Sequence, residues 1–163
     1  MIKISILYYS KTNFTKKVAE IIMQAIQEEG IEAKMFSINE LDDTADKFLN
    51  ESQAIFFGTP VYYGGVCWEM EKWFQQSHRY NFTGKIGAGF VTFQHASGCC
   101  DAVTNLVKLI LIKGMLAYSG GAVGEEPYVH MGLMARNNNF NEEVSIYRTF
   151  AKNVAQETLS LFQ

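Results

Sequence analysis

Hydroxyl and amide side chains cluster in the segment YYSKTNFTKKVAE, where an apolar run ends and a helical pattern begins. Ser10, Thr12 and Thr15 supply the hydroxyls, and Asn13 supplies the amide. One such side chain is an ordinary helix cap, but four exceed what a cap needs. Backbone N–H groups at a helix start and the positive end of the helix dipole attract anions, and each hydrogen bond to a charged group contributes about 1.5–3 kcal/mol. The segment therefore favours a phosphate site that needs no metal.

The segment does not match the common nucleotide-binding motifs. The pattern G-x-x-x-x-G-K-[ST] is absent, and G-x-G-x-x-G does not follow the first apolar run. The glycines of GKIGAGF have a different spacing and are better explained by close packing against a helix. These absences argue against binding of a nucleoside triphosphate and against a classical dinucleotide site.

Two further loops carry residues suited to a flat ring. The segment GTPVYYGGVCWEM presents Tyr62 and Tyr63 beside Gly64 and Gly65, whose backbone geometry is unrestricted. The segment TFQHASGCC contains His95 and ends in small residues ahead of a helical pattern. A plain surface loop with two packed tyrosines also explains the first of these segments. Taken with the phosphate site, the three loops indicate one ligand with a phosphate tail and a flat ring, and riboflavin phosphate (FMN) fits that description.

The elements that must position these loops alternate between strand and helix along the chain. Strands are predicted at IKISILYY, IEAKMFS, QAIFFG, IGAGFVTF and MLAYSGGAV. Helices are predicted between them, with one near residues 102–113 and a closing helix through Tyr147, Phe150 and Val154. The segment GEEPYVHMGLMARNNNFNEE is predicted to be a long irregular surface loop. This alternation predicts an α/β fold, a doubly wound five-stranded parallel sheet with helices on both faces. Ligands of such sheets bind beyond the carboxyl ends of the strands, where the strand order reverses.

Composition limits the classes of function. With 163 residues and 48% hydrophobic content, the chain is predicted to be a single domain over residues 1–163. Its net charge of -3 gives no support for nucleic-acid binding. No apolar run reaches the roughly 18 residues of a membrane span, and the first residues lack the pattern of a secretory signal. Three cysteines are too few and too irregular for a disulfide framework, so we expect a cytoplasmic protein.

The motifs together resemble the flavodoxin-like superfamily, and most of all the Trp-repressor-binding-type NAD(P)H:quinone oxidoreductases and related multimeric flavodoxins. The segment YYSKTNFT is similar to the family's FMN phosphate loop, S-x-T-x-x-T, and GTPVYYGG to the loop beside the isoalloxazine ring. GKIGAGFVTFQHASG resembles the fourth strand and its flavin-edge loop, and EEVSIYRTFAKNVA the closing helix. The resemblance implies strand order 2-1-3-4-5, tightly but non-covalently bound FMN, and a homodimer or homotetramer.

The resemblance also implies the residues that contact FMN. Asn13 stands where the family commonly has glycine, so we expect a left-handed backbone there, which Asn tolerates well. The phosphate would be held by Ser10, Lys11, Thr12, Asn13, Phe14 and Thr15. The ring and ribityl chain would contact Thr59, Pro60, Val61, Tyr62, Tyr63, Gly64 and Gly65. The pyrimidine side and edge would contact the loop from Thr92 to Gly98, with Thr92, Phe93, Gln94, His95, Ala96 and Gly98 as its binding residues.

We expect the flavin to carry the chemistry, with the protein positioning it. In the resulting hypothesis NAD(P)H passes hydride to the ring and a quinone or similar small acceptor takes the electrons, so that the chain is an NAD(P)H:quinone oxidoreductase. His95 and His130 are the candidate catalytic side chains. Cys67, Cys99 and Cys100 lack the paired spacing of a metal site and are interpreted as buried free thiols. Two alternatives stay open: a flavodoxin-type electron carrier, and a flavin-free regulatory module on the same fold.

Overall fold

A largely parallel β-sheet forms the centre of the computed structural model, which describes residues 1–121 and 129–163. Its strands in the described residues are, in chain order, β1 (Lys3–Tyr8), β2 (Glu32–Ser37), β3 (Ala54–Tyr62), β4 (Gly65–Val66), β5 (Ile86–Phe93), β6 (Leu116–Ala117) and β7 (Leu133–Arg136). The main path through the sheet is β2-β1-β3-β5-β6, and every pair along it is parallel. The predicted α/β sheet and its reversal of strand order at β1 and β3 are therefore confirmed.

Helices cover both faces of the sheet, as predicted. They are α1 (Phe14–Glu28), α2 (Asp43–Glu51), α3 (Trp68–Gln76), α4 (Cys99–Ile112) and α5 (Phe140–Phe162). Alternate side chains of each strand enter opposite cores because successive strand residues point to opposite faces. In β3, Phe56 packs with α1 and α5, whereas Phe57 packs with α2, α3 and α4. None of these helices, within the described part of the chain, is long and apolar enough to cross a membrane.

The glycines of β5 allow α4 to approach the sheet closely, as the sequence predicts. A Cβ added at Gly87 would lie 2.3 Å from Cγ2 of Ile110, and one at Gly89 would lie 3.0 Å from Cδ2 of Leu106. Both contacts fill space that a side chain would need. These glycines therefore serve helix–sheet packing and not phosphate binding.

The edge of the sheet beyond β5 differs from the prediction. The predicted fifth strand MLAYSGGAV pairs only through β6, which lies beside Ile86 and Gly87. The second half of the β5 edge is paired by β7, within the segment that was predicted to be an irregular loop. Leu133 and Ala135 of β7 are buried, and burial of these alternate side chains stabilises the strand. With four residues, β7 is too short to show a clear hydrophobic periodicity in the sequence. Residues 122–128, where parts of the predicted strand and loop lie, are outside the described residues.

The segment after QAIFFG is also more regular than predicted. Strand β3 continues through Thr59 to Tyr62, since its ladder with β5 extends as far as Pro60 and Thr92. The chain then folds back, and β4 pairs antiparallel with the end of β3. Tyr63 (φ 51°) and Gly64 (φ 76°) form the two-residue turn of this hairpin. Two consecutive positive φ angles are the geometry of a tight hairpin turn whose twist matches the strands.

Candidate functional site

A cavity of about 700 Å³ opens at the carboxyl ends of β1, β3 and β5. This volume falls within the range of about 300–1,000 Å³ that is typical of small-molecule sites. The three predicted loops meet there. Its lining consists of Lys11, Thr12, Phe14, Thr15, Pro60, Val61, Tyr62, Tyr63, Gly64, Thr92, Phe93, Gln94, His95, Ser97, Gly98 and Asn137.

Five predicted contact residues do not line the cavity, and two lining residues, Ser97 and Asn137, are not among those predicted; Ser97 lies within the predicted third loop. The five outside the cavity are Ser10, Asn13, Thr59, Gly65 and Ala96. Asn137, which follows β7, was missed because it was assigned to an irregular loop far away in sequence. No periodic signal in the sequence marks it, because β7 has only four residues.

The first loop leaves two backbone N–H groups at the start of α1 without an acceptor in the described part of the chain. Asn13 adopts the predicted left-handed backbone (φ 64°) and ends the loop, but its own side chain does not cap the helix. The Ser10 hydroxyl accepts a hydrogen bond from the backbone N–H of Lys16 at 3.3 Å, which explains why Ser10 does not reach the cavity. Among the described residues, the backbone N–H groups of Phe14 and Thr15 have no acceptor. With no acidic residue in the first turn, this end of the helix is free to bind an anion.

A buried hydrogen bond joins the first loop to the third. The hydroxyls of Thr15 and Thr92 lie 2.8 Å apart, and both side chains are buried. Because each hydroxyl has a protein partner, these two threonines hold the walls of the cavity together. The hydroxyl of Thr12, by contrast, lies on an exposed residue and has no partner among the described residues.

Hydrogen bonds of the Thr59 hydroxyl hold the second loop together. This residue is fully buried, and its hydroxyl lies 3.0 Å from the carbonyl oxygen of Pro60. The Thr59 hydroxyl oxygen also accepts a hydrogen bond from the backbone N–H of Cys67 at 3.2 Å. These contacts explain why Thr59 shapes the hairpin and does not line the cavity. At the hairpin tip, Tyr63 is fully exposed and Tyr62 is 39% exposed.

Several ionisable groups lie behind the hairpin. The Tyr9 hydroxyl donates a hydrogen bond to Oε1 of Glu69 at 3.0 Å. Burial, and then this bond, raises the pKa of Tyr9 to about 12. Burial is also the main reason that the pKa values of Tyr62 and Cys67 are raised. These phenols and this thiol therefore stay protonated at neutral pH and are poor proton acceptors for catalysis.

The two candidate catalytic histidines separate in the structure. His95 lines the cavity, whereas His130 is exposed and lies outside the lining.

Cys67 and Cys99 are buried free thiols as predicted, but Cys100, in the first turn of α4, is exposed. The described residues contain no group of three or more His, Cys, Asp or Glu side chains that could hold a metal ion.

Comparison with known proteins agrees with this fold. A family model described as Flavodoxin matches residues 6–136, which include all three loops of the cavity and β7. The chain belongs to the flavodoxin family. A protein named Flavodoxin from Clostridium saccharobutylicum is 39% identical over 162 residues, a match that covers 98% of this chain and 99% of that flavodoxin.

Solved flavodoxin structures share the fold. A WrbA-like flavodoxin from Agrobacterium tumefaciens superposes with a TM-score of 0.83 at 23% identity, covering 98% of this chain and 99% of the other. A Fusobacterium nucleatum flavodoxin bound to flavin mononucleotide superposes with a TM-score of 0.73 at 16% identity, covering 100% of both chains. At these identities the likeness extends to the fold alone.

The prediction of an NAD(P)H:quinone oxidoreductase is wrong. The Clostridium saccharobutylicum relative matches from end to end and is named a flavodoxin, which is an electron carrier and not an enzyme. The sequence motifs misled because the phosphate and ring loops are common to carriers and enzymes built on this fold. The predicted homo-oligomer and cytoplasmic location stay predictions.

Proposed function

We propose that this flavodoxin binds FMN non-covalently and carries electrons between redox proteins. One observation carries the proposal: the start of α1, where the backbone N–H groups of Phe14 and Thr15 have no acceptor among the described residues, opens onto a cavity whose other walls are the hairpin and the third loop. A phosphate needs hydrogen-bond donors, and a flat ring needs aromatic and backbone surfaces. The cavity has the donors at one end and those surfaces at the other.

The residues of the cavity fit the parts of FMN. The backbone N–H groups of Phe14 and Thr15, the Thr12 hydroxyl and the Lys11 ammonium are donors for the phosphate. The ring would lie among surfaces of the second and third loops, at Tyr62, Tyr63, Gly64, Gln94, His95 and Gly98. FMN, when bound, supplies a redox centre that accepts and donates electrons.

The surroundings of the cavity suit exchange with a protein partner. Tyr63 is fully exposed at the hairpin tip, and Trp68, just after the hairpin, is 62% exposed. Exposed aromatic side chains of this kind are enriched at protein–protein contacts. The phenols of Tyr9 and Tyr62 and the thiol of Cys67, behind the hairpin, stay protonated at neutral pH and are poor proton acceptors for substrate chemistry.

Absorption spectroscopy and a coupled electron-transfer assay test the proposal. The purified protein, or its apoprotein after addition of FMN, is expected to show a flavin spectrum shifted from that of free FMN. With NADPH, a flavoprotein reductase and cytochrome c, it should raise the rate of cytochrome reduction in proportion to its concentration. Free FMN at the same concentration is the control. A protein that takes up no FMN, or one that reduces quinones with NAD(P)H steadily and without the reductase, contradicts the proposal.

A further inference from the structure

An apolar band crosses the surface from the β3–β4 hairpin to β7 and consists of Tyr63, Trp68, Cys100 and Met134. Tyr63 is fully exposed, Trp68 is 62% exposed and Met134 is 37% exposed, and Cys100 is also exposed. Trp68, Cys100 and Met134 do not line the cavity, so a flavin bound there does not account for their exposure. Exposed apolar patches of this kind mark contact sites for other proteins.

Contacts between neighbouring elements join the members of the band. Trp68 is the first residue of α3 and follows just after the hairpin. The hairpin turn packs against the third loop where Gly64 meets Gly98. Cys100 comes just after Gly98, in the first turn of α4, and its Sγ atom lies 3.9 Å from Sδ of Met134. The band therefore borders the mouth of the cavity from the hairpin to β7.

Two cations stand at opposite ends of the band. Nζ of Lys72 lies 4.8 Å from the centroid of the Trp68 ring. Arg136 lies at the end of β7, and its guanidinium is 5.7 Å from the centroid of the Phe93 ring, which lines the cavity. Within residues 1–121 and 129–163, neither cation forms an ion pair. Their charges are therefore available to a partner.

Carboxylates on the elements that carry the band are mostly engaged inside the protein. Glu69 and Glu71 of α3 each accept a hydrogen bond from a neighbouring side chain. Asp101 of α4 is exposed, and no carboxylate of the described residues lines the cavity. The exposed acidic segment 40–43 follows β2, which is two strands away from β3 in the sheet. With two cations and one exposed carboxylate, the band itself is positively charged.

We propose that the apolar band is the docking surface for an electron-transfer protein whose redox centre is bordered by carboxylates. Lys72 and Arg136 meet those carboxylates, and the band packs against the apolar surface around the partner's redox centre. Aromatic side chains and methionine are enriched at protein contacts, and complementary charge at the rim speeds the encounter and fixes the orientation. The inference rests on the proposed function, since the electrons reach the partner from the flavin in the cavity.

Stopped-flow electron transfer to acceptors of opposite charge tests the inference. The FMN-loaded protein, reduced beforehand with dithionite, gives one electron to the oxidised iron of rubredoxin, which is acidic, or of cytochrome c, which is basic. Lys72→Gln and Lys72→Glu are expected to slow transfer to rubredoxin increasingly, the second by about threefold or more at low salt. The difference from the wild type should vanish at high salt, where exposed charges are screened. Neither variant should slow transfer to cytochrome c.

Lys108→Gln and Lys108→Glu are the matched controls. Lys108 is exposed on α4, forms no ion pair in the described part of the chain, and lies about 12 Å along the helix from Cys100. Its variants should transfer electrons to both acceptors as the wild type does. Trp68→Ala should slow transfer to rubredoxin at every salt concentration, because it removes apolar contact and no charge. Flavin absorbance and circular dichroism verify that each variant is loaded and folded.

Two results would overturn the inference. One is equal transfer to rubredoxin by the Lys72 and Lys108 variants, because the partner would then dock elsewhere. The other is an equal loss with rubredoxin and cytochrome c in Lys72→Glu, because the charge of the acceptor would then not matter. Both results leave the proposed function intact, since electrons still pass from the flavin to a protein. A protein that takes up no FMN refutes the proposed function itself.

Discussion

Gly98 packs directly against Gly64, so that a Cβ added at Gly98 would lie 2.2 Å from the Cα of Gly64. Gly64 is in the turn of the β3–β4 hairpin, and Gly98 immediately precedes α4. Both have positive φ angles, 76° and 78°. The contact joins two walls of the cavity, and only residues without a side chain allow the two backbones to approach so closely.

Gly98→Ala should therefore disturb both the backbone and the cavity. Left-handed geometry costs an alanine about 1–2 kcal/mol of stability, and the added methyl group pushes the hairpin away from the third loop. We expect FMN affinity to fall about tenfold or more. Gly30→Ala is the control because Gly30 has nearly the same φ, 77°, but nothing within 4 Å of its Cβ position. Urea unfolding should show a loss of stability in both variants, whereas flavin titration should show weaker binding in Gly98→Ala alone.

Thr12→Val should weaken flavin binding without unfolding the protein. Thr12 lines the cavity beside the start of α1, and its side chain is exposed. Loss of one hydrogen bond to a charged phosphate corresponds to about 1.5–3 kcal/mol, or at least tenfold in the dissociation constant. Thr149→Val changes a half-buried threonine on α5 that lies outside the cavity and whose hydroxyl donates a hydrogen bond to the carbonyl of Ser145, and it should leave affinity unchanged. Unaltered FMN affinity in Thr12→Val would show that the phosphate lies elsewhere.

The buried hydroxyl pair of Thr15 and Thr92 should be coupled energetically. Thr15→Val leaves the Thr92 hydroxyl unpaired, which costs about 1–3 kcal/mol of unfolding free energy. Thr92→Val should have a similar effect. The double variant should lose less unfolding free energy than the two single variants lose together, since it leaves no hydroxyl without a partner. Denaturant unfolding of all four proteins measures this coupling, and strict additivity would count against a hydrogen bond between the two residues.

Stability should decrease in alkaline solution, partly because of Tyr80. This buried tyrosine donates a hydrogen bond to Asp46, and burial followed by that bond raises its pKa to about 12. In the unfolded chain the phenol ionises near pH 10, so the native state binds more protons between about pH 10 and 12. The contribution of Tyr80 is complete below pH 10 and is lost as pH rises through its folded pKa.

Tyr80→Phe should reduce this alkaline loss by about 2 kcal/mol. The substitution should not abolish the alkaline loss of stability, because the pKa of Tyr9 is also raised to about 12. Tyr63→Phe removes a phenol that is fully exposed and should leave the pH profile as it is in the wild type. Unfolding free energies measured from pH 8 to 12 give the comparison. A Tyr80→Phe profile parallel to that of the wild type would contradict the assignment.

Local sequence pattern determined the elements whose signal lies within one stretch of chain. Alternating strand and helix periodicities predicted the sheet and its two helical layers. The left-handed backbone of Asn13 was expected from the resemblance to the family's loop, where this position is commonly glycine. The three loops of the cavity could be found from local pattern, since each follows a recognisable strand. Carrier and enzyme could not be separated in this way, because both use these loops.

Tertiary structure decided what depends on residues far apart in the chain. Strands β4 and β7 have two and four residues, too few for a periodic pattern, and exist because β3 and β5 offer edges to pair with. Thr59 turns inward because the hairpin brings Cys67 to its hydroxyl. The starts of α1 and α5 lie side by side because the rings of Phe14 and Phe140 pack against each other. Contacts of this kind arise when distant segments are buried against each other, and no local preference encodes them.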